Sequence, residues 1–272
     1  MLFRSRRSLP SLHAFHFRRW HARHGAAPAA GRYGRVMLLA DCFTSYYEPE
    51  IGQSAVKVLE RAGYTVELAR LTCCCRPMIS KGMLEQSRAL IRTQLPTLVR
   101  RVAEGIPILG LEPSCLLTLK DEWPELVPDR DSKRVAEAAE LAESWLFKQV
   151  QAGRCDARFT PDSSRCLLHG HCHQKALQGV GPTVSALQLV PGLDVKALDT
   201  GCCGMAGSFG FEKEHYDLSV AIAGLELLPT LATEPDATII APGTSCRHQI
   251  KDLTGRRALH PMEVLAKHVA SN

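Results

Sequence analysis

The sequence predicts an α/β protein made of two pseudo-repeated, cysteine-rich domains, each built on a parallel sheet. Segments with strand character alternate with segments with helix character along most of the chain. A set of cysteines recurs with matching spacing in both halves, and the cysteines follow the ends of predicted strands. Because open parallel sheets bind ligands outside the carboxyl ends of their strands, the cysteines of each half are expected to meet at one edge.

Eight of the eleven cysteines form two sets of four with matching spacing. In each set a single cysteine precedes an adjacent pair by 30 or 31 residues, and a last cysteine follows the pair after 41 or 43 residues. Such matched duplication favours a ligand set over eight separate packing cysteines. The sets are Cys42, Cys73, Cys74 and Cys115 in the first half, and Cys172, Cys202, Cys203 and Cys246 in the second.

The adjacent pair Cys202-Cys203 is flanked by Gly201 and Gly204. Neighbouring Cα atoms lie about 3.8 Å apart, which is too close for an ordinary disulfide at roughly 4.4–6.8 Å. Flanking glycines instead allow a tight turn that presents both sulfur atoms to one bound group. Eleven cysteines are an odd number and no secretory signal peptide is expected, so the pattern favours a reducing compartment with metal or redox chemistry.

Residues 1–35 are predicted to be a basic, flexible arm or linker. They contain eight arginines and no acidic residue, without a sustained apolar period. A mitochondrial-type presequence is the alternative for such a segment. The rest of the chain carries 25 basic and 28 acidic residues, so the formal charge of +5 does not indicate nucleic-acid binding. No apolar run approaches the ~18 residues of a membrane helix, so no transmembrane segment is expected.

Two cysteine-rich domains are predicted, over residues 36–152 and 164–272, separated by a polar, turn-rich stretch. In the first, short apolar runs read as strands at 36–40, 64–69 and 106–111, and one continuous helix is expected over 135–150. In the second, strand signals lie at 166–171, 194–198 and 237–241, with helices expected over 182–189, 212–231 and 261–269.

Four thiolates per half could bind structural zinc or an iron–sulfur cluster. Structural zinc sites usually contain close C-x₂₋₄-C pairs, and no such pair occurs among the eight cysteines. Ligands gathered from three separate strand ends suit a larger inorganic core. The spacing therefore favours an iron–sulfur cluster, with zinc left open.

Four stretches resemble the paired cysteine-rich CCG domains of iron–sulfur oxidoreductase subunits. They are residues 73–82 (CCCRPMISKG), 171–175 (HCHQK), 201–207 (GCCGMAG) and 243–249 (GTSCRHQ). The family includes the heterodisulfide reductase B subunit, the iron–sulfur subunits of anaerobic glycerol-3-phosphate dehydrogenase and glycolate oxidase, and the lactate-utilisation iron–sulfur protein. The motifs are most similar to the C-terminal part of fused FAD-linked oxidases.

The resemblance implies one cluster per half, of the 4Fe-4S type, and electron transfer during flavin-dependent oxidation of a 2-hydroxy acid such as lactate, glycolate or 2-hydroxyglutarate. FAD and a ferredoxin-like iron–sulfur domain are expected on a partner subunit or an upstream domain, because the sequence shows neither a flavin-binding region nor a ferredoxin cysteine run. The chain is then a subunit or the C-terminal piece of a longer oxidase, and is not expected to be active alone. A quinone pool is one acceptor, and the expected location is the cytoplasm or the membrane periphery.

Two of the family's motifs are altered here. Cys75 stands where the motif has its glycine, which predicts a spare thiol or an altered turn. Heterodisulfide reductase-type sites end in C-x-x-C, but Glu112 and Gly243 occupy the first of those positions here. These departures from the family pattern favour a four-cysteine cluster over a five-cysteine noncubane one. A thiol/disulfide redox protein that uses Cys75, and a non-redox zinc scaffold, are the alternative functions.

Three histidines alternate beside the first cysteine of the second set. If this segment were extended, His169, His171 and His173 would share one face, with Cys172 opposite. Such a face can bind zinc or orient the ligands of a cluster through hydrogen bonds. We expect these histidines to orient the ligands of a cluster.

Overall fold

The computed structural model describes residues 7–25, 31–69 and 71–270. Within them lie two four-stranded sheets, one per half, and all strand pairs of both sheets are parallel. The predicted α/β fold with two pseudo-repeated parallel sheets is confirmed. The strands are β1 (Arg35–Leu38), β2 (Thr65–Leu68), β3 (Ile108–Gly110) and β4 (Ala139–Leu141), then β5 (Arg165–Leu168), β6 (Asp194–Ala197), β7 (Thr238–Ile240) and β8 (Ala258–Leu259).

Helices connect the strands and cover the sheets. In the N-terminal part and the first half they are α1 (Phe17–Arg23), α2 (Cys42–Tyr46), α3 (Pro49–Arg61), α4 (Arg76–Ser80), α5 (Leu84–Ala103), α6 (Pro113–Lys120), α7 (Glu122–Leu126), α8 (Arg130–Ala138) and α9 (Ala142–Gln151). In the second half they are α10 (Cys172–Leu177), α11 (Gly181–Leu187), α12 (Tyr216–Leu225), α13 (Leu227–Thr233), α14 (Thr244–Thr254) and α15 (Pro261–His268).

The strand order is the same in both halves: β2-β1-β3-β4 and β6-β5-β7-β8. The first strand of each half is therefore central and lies between the two strands that follow it along the chain. Because all strands point the same way, their carboxyl ends meet at one edge of each sheet. The loops that carry the predicted ligands leave from that edge.

Each described sheet has one strand more than the sequence predicts. β4 follows α8 without a loop and pairs with β3, inside the region for which a single helix over 135–150 is predicted. β8 is two residues long and pairs with β7. Strands this short carry too little apolar pattern to be recognised, and only pairing with a neighbour defines them. The prediction of one continuous helix is wrong for this reason.

The helix predicted over 212–231 is also divided. Two 3₁₀ turns, at Phe209–Phe211 and Lys213–His215, come before α12, and Glu226 separates α12 from α13. Glu226 has φ −140°, outside the helical region. The apolar period therefore continues from α12 into α13, although the helical conformation is interrupted at Glu226.

The halves pack against each other through two helix pairs related by the repeat. α3 packs on α15, and α9 packs on α11. α3 and α11 occupy equivalent places after the first cysteine helix, whereas α9 and α15 follow the last strand of their halves. One core of buried side chains consequently includes residues of both halves, among them Val58, Leu146, Leu187 and Leu265. None of the helices in the described ranges is long and apolar enough to cross a membrane.

Helix α1 lies within the segment for which a flexible arm is predicted. Phe17 is fully buried, and its ring lies so close to Gly52 of α3 that a Cβ there would be 2.7 Å from it. A single anchoring side chain does not produce an apolar period, so the sequence does not reveal this helix. Residues 1–6 and 26–30 of the segment lie outside the described residues. The domain boundaries at 36–152 and 164–272 stay predictions.

Candidate metal centres

The eight predicted ligands lie at the carboxyl edges of the two sheets, in equivalent places. Cys42 and Cys172 are the first residues of α2 and α10, which follow the central strands. Cys115 and Cys246 are the third residues of α6 and α14, which follow β3 and β7. The adjacent pairs lie in the loops after β2 and β6. The order of the chain and the strand order together bring four cysteines toward one point in each half.

Burial of the four cysteines is repeated as well. In each half the first cysteine is exposed, the second is half-buried, and the other two are buried. Each set therefore reaches from the protein interior to the surface. The exposed members are Cys42 and Cys172, the half-buried ones are Cys73 and Cys202, and the buried ones are Cys74, Cys115, Cys203 and Cys246.

In the first half two of the four sulfur atoms are in direct contact. The Sγ atoms of Cys74 and Cys115 lie 3.3 Å apart. The hydrogen bond to Cys115, before any effect of burial, raises the pKa of Cys74, and the bond to Cys74 in turn raises the pKa of Cys73. Burial, followed by the nearby Cys73, raises the pKa of Cys42. The four thiols therefore form one electrostatically linked group.

The thiols of the second half are linked in the same way, and the hydrogen bonds between them raise the pKa of some cysteines and lower that of others. The hydrogen bond from Cys172 lowers the pKa of Cys202, and the bond from Cys203 lowers the pKa of Cys246. The pKa values of the two donors, Cys172 and Cys203, are raised by their bonds to Cys202. Neighbouring sulfurs thus share protons, since adjacent thiolates would repel each other.

Four thiols placed this close together lose all their protons at neutral pH only when a cation compensates the charge. Metal ions bind cysteine as thiolate and displace the protons on binding. The donor set in each half, four sulfurs at the edge of a sheet, fits an iron–sulfur cluster and also fits zinc by donor type. In the second half, ligand atoms of His169, Cys203 and Cys246 all lie within 4.8 Å of one another.

The turn after each adjacent pair is the same, although the residues differ. Gly204 has φ +86°, and Cys75 has φ +75°, a left-handed conformation that is rare for residues other than glycine. In both turns this residue donates its backbone N–H to the sulfur two positions earlier, at 3.3 Å from Cys73 or Cys202. Of the two predicted possibilities, an altered turn is wrong for Cys75, because the turn is kept.

The Cys75 thiol points into the core of the first half. Its side chain is fully buried, and its Sγ lies 3.8 Å from the carbonyl oxygen of Cys73 and 3.9 Å from that of Ser87. Burial first, and then the charge of Cys73, raises the pKa of Cys75 to about 11. Cys75 is therefore a spare thiol, shielded from solvent and protonated at neutral pH.

The three histidines do not share a face, because their segment is not extended. His171 is the N-cap of α10, and its Nδ1 accepts from the backbone N–H of His173, which is already helical. His169 is buried, and its Nδ1 pairs with the Thr200 hydroxyl at 2.9 Å. His169 has a ring nitrogen within 4.8 Å of the sulfur atoms of Cys203 and Cys246. The extended arrangement is wrong, while a role in orienting ligands fits His169.

Glu112 links the two sites. Its Oε1 accepts from the backbone N–H and the hydroxyl of Ser114 at the start of α6. Its Oε2 accepts from the Thr244 backbone N–H at 2.8 Å, at the start of α14 in the other half. The carboxylate thus joins the helices that carry Cys115 and Cys246. The sequence marks Glu112 only as an absent cysteine, and its reach across the halves has no sequence signal.

An ion pair between the two halves lies next to Glu112. Arg247, beside Cys246, is buried and donates from Nε and Nη2 to the two carboxylate oxygens of Glu48, at 2.9 and 2.6 Å. Its Nη1 donates to the carbonyl oxygens of Ala241 and Pro242. The bidentate geometry is the strong form of such a pair. It holds the start of α14 against the first half.

Asp41 is a site residue that the sequence analysis did not single out. Its Oδ1 accepts from the backbone N–H groups of Phe43 and Thr44, both at 2.9 Å, and so caps the helix that begins at Cys42. Burial raises its pKa to about 6, against those hydrogen bonds. An aspartate directly before a helix is an ordinary N-cap signal and could have been found from the sequence.

Fold and site together define a class: a protein of two parallel α/β repeats, each with four clustered thiols at the carboxyl edge of its sheet. The family model of the CCG cysteine-rich domain matches residues 36–120 and 166–251. The chain therefore belongs to the CCG cysteine-rich domain family, as the motif resemblance indicates.

Similar proteins include a dehydrogenase subunit, a dehydrogenase and a lactate utilization protein. The C subunit of the anaerobic glycerol-3-phosphate dehydrogenase of Escherichia coli is 32% identical over 267 residues, which are 97% of this chain and 66% of that protein. D-2-hydroxyglutarate dehydrogenase of Pantoea ananatis is 28% identical over 237 residues, 86% of this chain and 22% of the relative. Lactate utilization protein A of an Exiguobacterium species is 25% identical over 248 residues, 86% of this chain and 95% of the relative. The chain thus spans less than two thirds of the first two relatives.

Proposed function

We propose that this chain is an electron-transfer module that carries electrons away from a flavin dehydrogenase partner through one iron–sulfur cluster in each half. The observation that carries the proposal is the repeated placement of four matched cysteines at the carboxyl edge of each sheet, with the Sγ atoms of Cys74 and Cys115 3.3 Å apart in the first half and ligand atoms of Cys203, Cys246 and His169 within 4.8 Å of one another in the second. The similarity to dehydrogenase components supports it independently.

The proposed ligands are the eight matched cysteines, with a 4Fe-4S cluster in each half. When bound, such a cluster accepts and releases single electrons. The protein supplies the thiolates, and the Cys75 and Gly204 N–H groups donate to two of the sulfurs. Donors to sulfur stabilise the reduced, more negative state and so raise the reduction potential.

The exposed cysteines give each site a surface at which electrons can enter or leave. Cys42 and Cys172 are exposed, while the buried members exclude water from the other side. α6, which carries Cys115, packs on α10, which begins at Cys172, so the two sites are neighbours across the halves. This arrangement supports transfer from one half to the other.

The proposed partner is a flavin subunit or domain that oxidises an alcohol carbon of its substrate to a carbonyl group. The names of the similar proteins refer to glycerol-3-phosphate, 2-hydroxyglutarate and lactate, which all contain such an alcohol. Within this class a 2-hydroxy acid is the proposed substrate of the partner. A ferredoxin-like domain would adjoin the flavin, a quinone pool is the proposed acceptor, and the proposed location is the cytoplasm or the membrane periphery.

Of the alternative functions, thiol/disulfide exchange through Cys75 is disfavoured, because its thiol is fully buried and its pKa is raised to about 11. A zinc scaffold has a specific observation in its favour, the proximity of His169, Cys203 and Cys246. Metal analysis of anaerobically purified protein distinguishes the zinc scaffold from the proposed electron-transfer module. Iron with acid-labile sulfide supports electron transfer, whereas colourless protein with zinc supports the scaffold.

The partner requirement is the first testable prediction. Removing hydride from an alcohol is chemistry that a flavin performs, and one-electron centres do not. The isolated protein should therefore fail to reduce an artificial dye with lactate, glycolate or 2-hydroxyglutarate. A flavin dehydrogenase partner should let the substrate bleach the visible absorbance of the clusters. Turnover of any of these acids by the isolated chain would contradict the proposal.

A further inference from the structure

The N-terminal segment places one arginine near each cysteine site. In the described range 7–25, the Ser8 hydroxyl donates to Asp252 of α14 at 2.6 Å, while α1 packs on α3. The segment therefore touches both halves. Arg7 is buried with a side-chain exposure of 1%, and Arg18 is half-buried, whereas Arg19 is exposed.

Arg18 ties together the two loops that carry Cys42 and Cys73. Its Nη2 donates to the carbonyl oxygens of Ala40 and Leu71, each at 3.0 Å. Each of these carbonyls lies two residues before a cysteine of the first site. One planar guanidinium thus sets the separation between the ends of β1 and β2.

Arg18 also has one further hydrogen-bond donor close to these two loops. Its Nε–H is buried and has no hydrogen-bond partner among the described residues. Nε–H and Nη2 share one edge of the planar guanidinium, so the free donor faces the same pair of loops. Buried donors nearly always have an acceptor, and the acceptor implied here belongs to the sulfur site. The Arg18 charge already acts on Cys42, where it opposes the rise in pKa that burial causes.

Arg7 contacts residues next to the Cys203-Gly204 turn of the second site. Its Nε donates to the Gly210 carbonyl oxygen at 3.1 Å and its Nη2 to the Ser219 hydroxyl at 3.2 Å, while Nη1 donates to Gln249. Ser219 is the residue against which the Cys203-Gly204 turn packs, since a Cβ on Gly204 would lie 2.2 Å from the Ser219 carbonyl oxygen.

We propose that the N-terminal segment is a working part of both metal sites, with Arg18 as the positioning residue of the first and Arg7 as that of the second. Arg18 fixes the two cysteine loops and donates its Nε–H to the sulfur atoms of the bound group. Arg7 fixes the residues that hold the Cys203-Gly204 turn. The proposal rests on the proposed function for the identity of that group, but not for the contacts of the arginines.

The test compares Arg18→Gln, Arg7→Gln and the exposed control Arg19→Gln in the full, cluster-loaded chain. Two quantities are measured: the midpoint potential of each cluster, by redox titration with electron paramagnetic resonance, and the rate of metal release to a chelator. Loss of a residue that orients ligands typically costs about 10–100-fold in metal affinity. We expect release of half the metal to accelerate by roughly that factor in each of the two variants.

The two variants should affect different clusters. Arg18→Gln should lower one midpoint potential and leave the other unchanged, because a cationic donor to sulfur is lost from one site only. Arg7→Gln should speed release from the other site. Arg18→Lys keeps the positive charge but lacks the planar fork that bridges the two loops, so it should recover part of the potential without restoring the rate of metal release. A purely structural role would change stability without moving the potential.

The outcomes separate the two proposals. Unchanged potentials and release rates in both variants, with a normal wild-type cluster content, overturn the role of the arginines alone. Zinc in the wild-type protein overturns electron transfer, and the release rates then decide the role of the arginines. Wild-type protein that binds no metal after anaerobic reconstitution overturns both.

Discussion

At the scale of single residues, the two sites show how one backbone turn is built from two different side chains. Gly204 and Cys75 both take a positive φ, and both place an N–H on the sulfur of the preceding pair. The space around them differs. A Cβ on Gly204 would meet the Ser219 carbonyl oxygen at 2.2 Å, whereas the Cys75 side chain enters the core of the first half.

This difference predicts opposite results for two substitutions. Cys75→Gly should keep the full iron content, because the turn suits glycine and the thiol is directed away from the site. Its melting temperature should change little, since relief of the left-handed strain offsets the loss of a small buried side chain. Gly204→Ala should lose about half the iron, because the turn that presents Cys202 and Cys203 cannot close. Iron and acid-labile sulfide per chain provide the measurement.

The contradicting outcome is equally direct. If Cys75→Gly loses iron while Gly204→Ala does not, Cys75 is a ligand and the turn is of no importance. Cys75→Ala serves as the matched variant, since it removes the sulfur but keeps a Cβ and the strained φ. A ligand role requires Cys75→Ala and Cys75→Gly to lose the same amount of iron.

At the scale of helices and strands, the sequence predicts those elements whose own residues carry an apolar pattern. The runs that become β1, β3 and β7 are apolar, and the cysteines mark the strand ends, so the site edge follows from the chain order. β4 and β8 are too short to carry a pattern and exist because β3 and β7 offer free edges. Glu112 and Arg18 act across long sequence separations, and nothing local to either residue indicates their partners.

The contact between α9 and α11 contains a carboxyl group whose ionisation works against folding. Glu143 is fully buried, and its Oε1 accepts from the Thr183 hydroxyl at 3.1 Å. Burial, more than the nearby Glu140, raises its pKa from 4.5 to about 7. Because the folded-state pKa is the higher one, its stabilising contribution is complete below about pH 4.5 and is lost as the pH rises through about 7.

Glu143→Gln should remove that part of the pH dependence. The amide keeps an acceptor for Thr183 and carries no charge at any pH, so the variant should gain up to about 3 kcal/mol relative to the wild type at pH 8. At pH 4.5 the two should be similar. Urea unfolding at several pH values measures the difference, with exposed Glu137→Gln as the control. Parallel stability curves for variant and wild type would show that Glu143 does not titrate as described.

At the scale of the whole molecule, the two halves share their core. α3 and α9 of the first half pack on α15 and α11 of the second, and one set of buried side chains includes residues from all four helices. Arg247 and Glu48 add an ionic contact across the same boundary, next to the candidate metal sites. Neither half can lose this surface without exposing a large apolar area to water. The halves should therefore unfold together, although each carries its own sheet and its own cysteines.

A substitution in the second half tests this with a probe in the first. Trp123 is fully buried in the core of the first half, whereas Trp20 and Trp145 pack on the core that both halves share. The test therefore uses a Trp20→Phe, Trp145→Phe background, in which the fluorescence of Trp123 reports the first half. Leu265 is fully buried on α15, and Leu265→Ala should destabilise the protein by about 2–5 kcal/mol. The denaturation midpoint from tryptophan fluorescence should shift as far as the midpoint from far-ultraviolet circular dichroism, which reports both halves. Exposed Leu218→Ala should shift neither. If the fluorescence midpoint stays at its wild-type value while the circular dichroism signal falls in two steps, the halves are independent, and contacts across the boundary do not stabilise the first site.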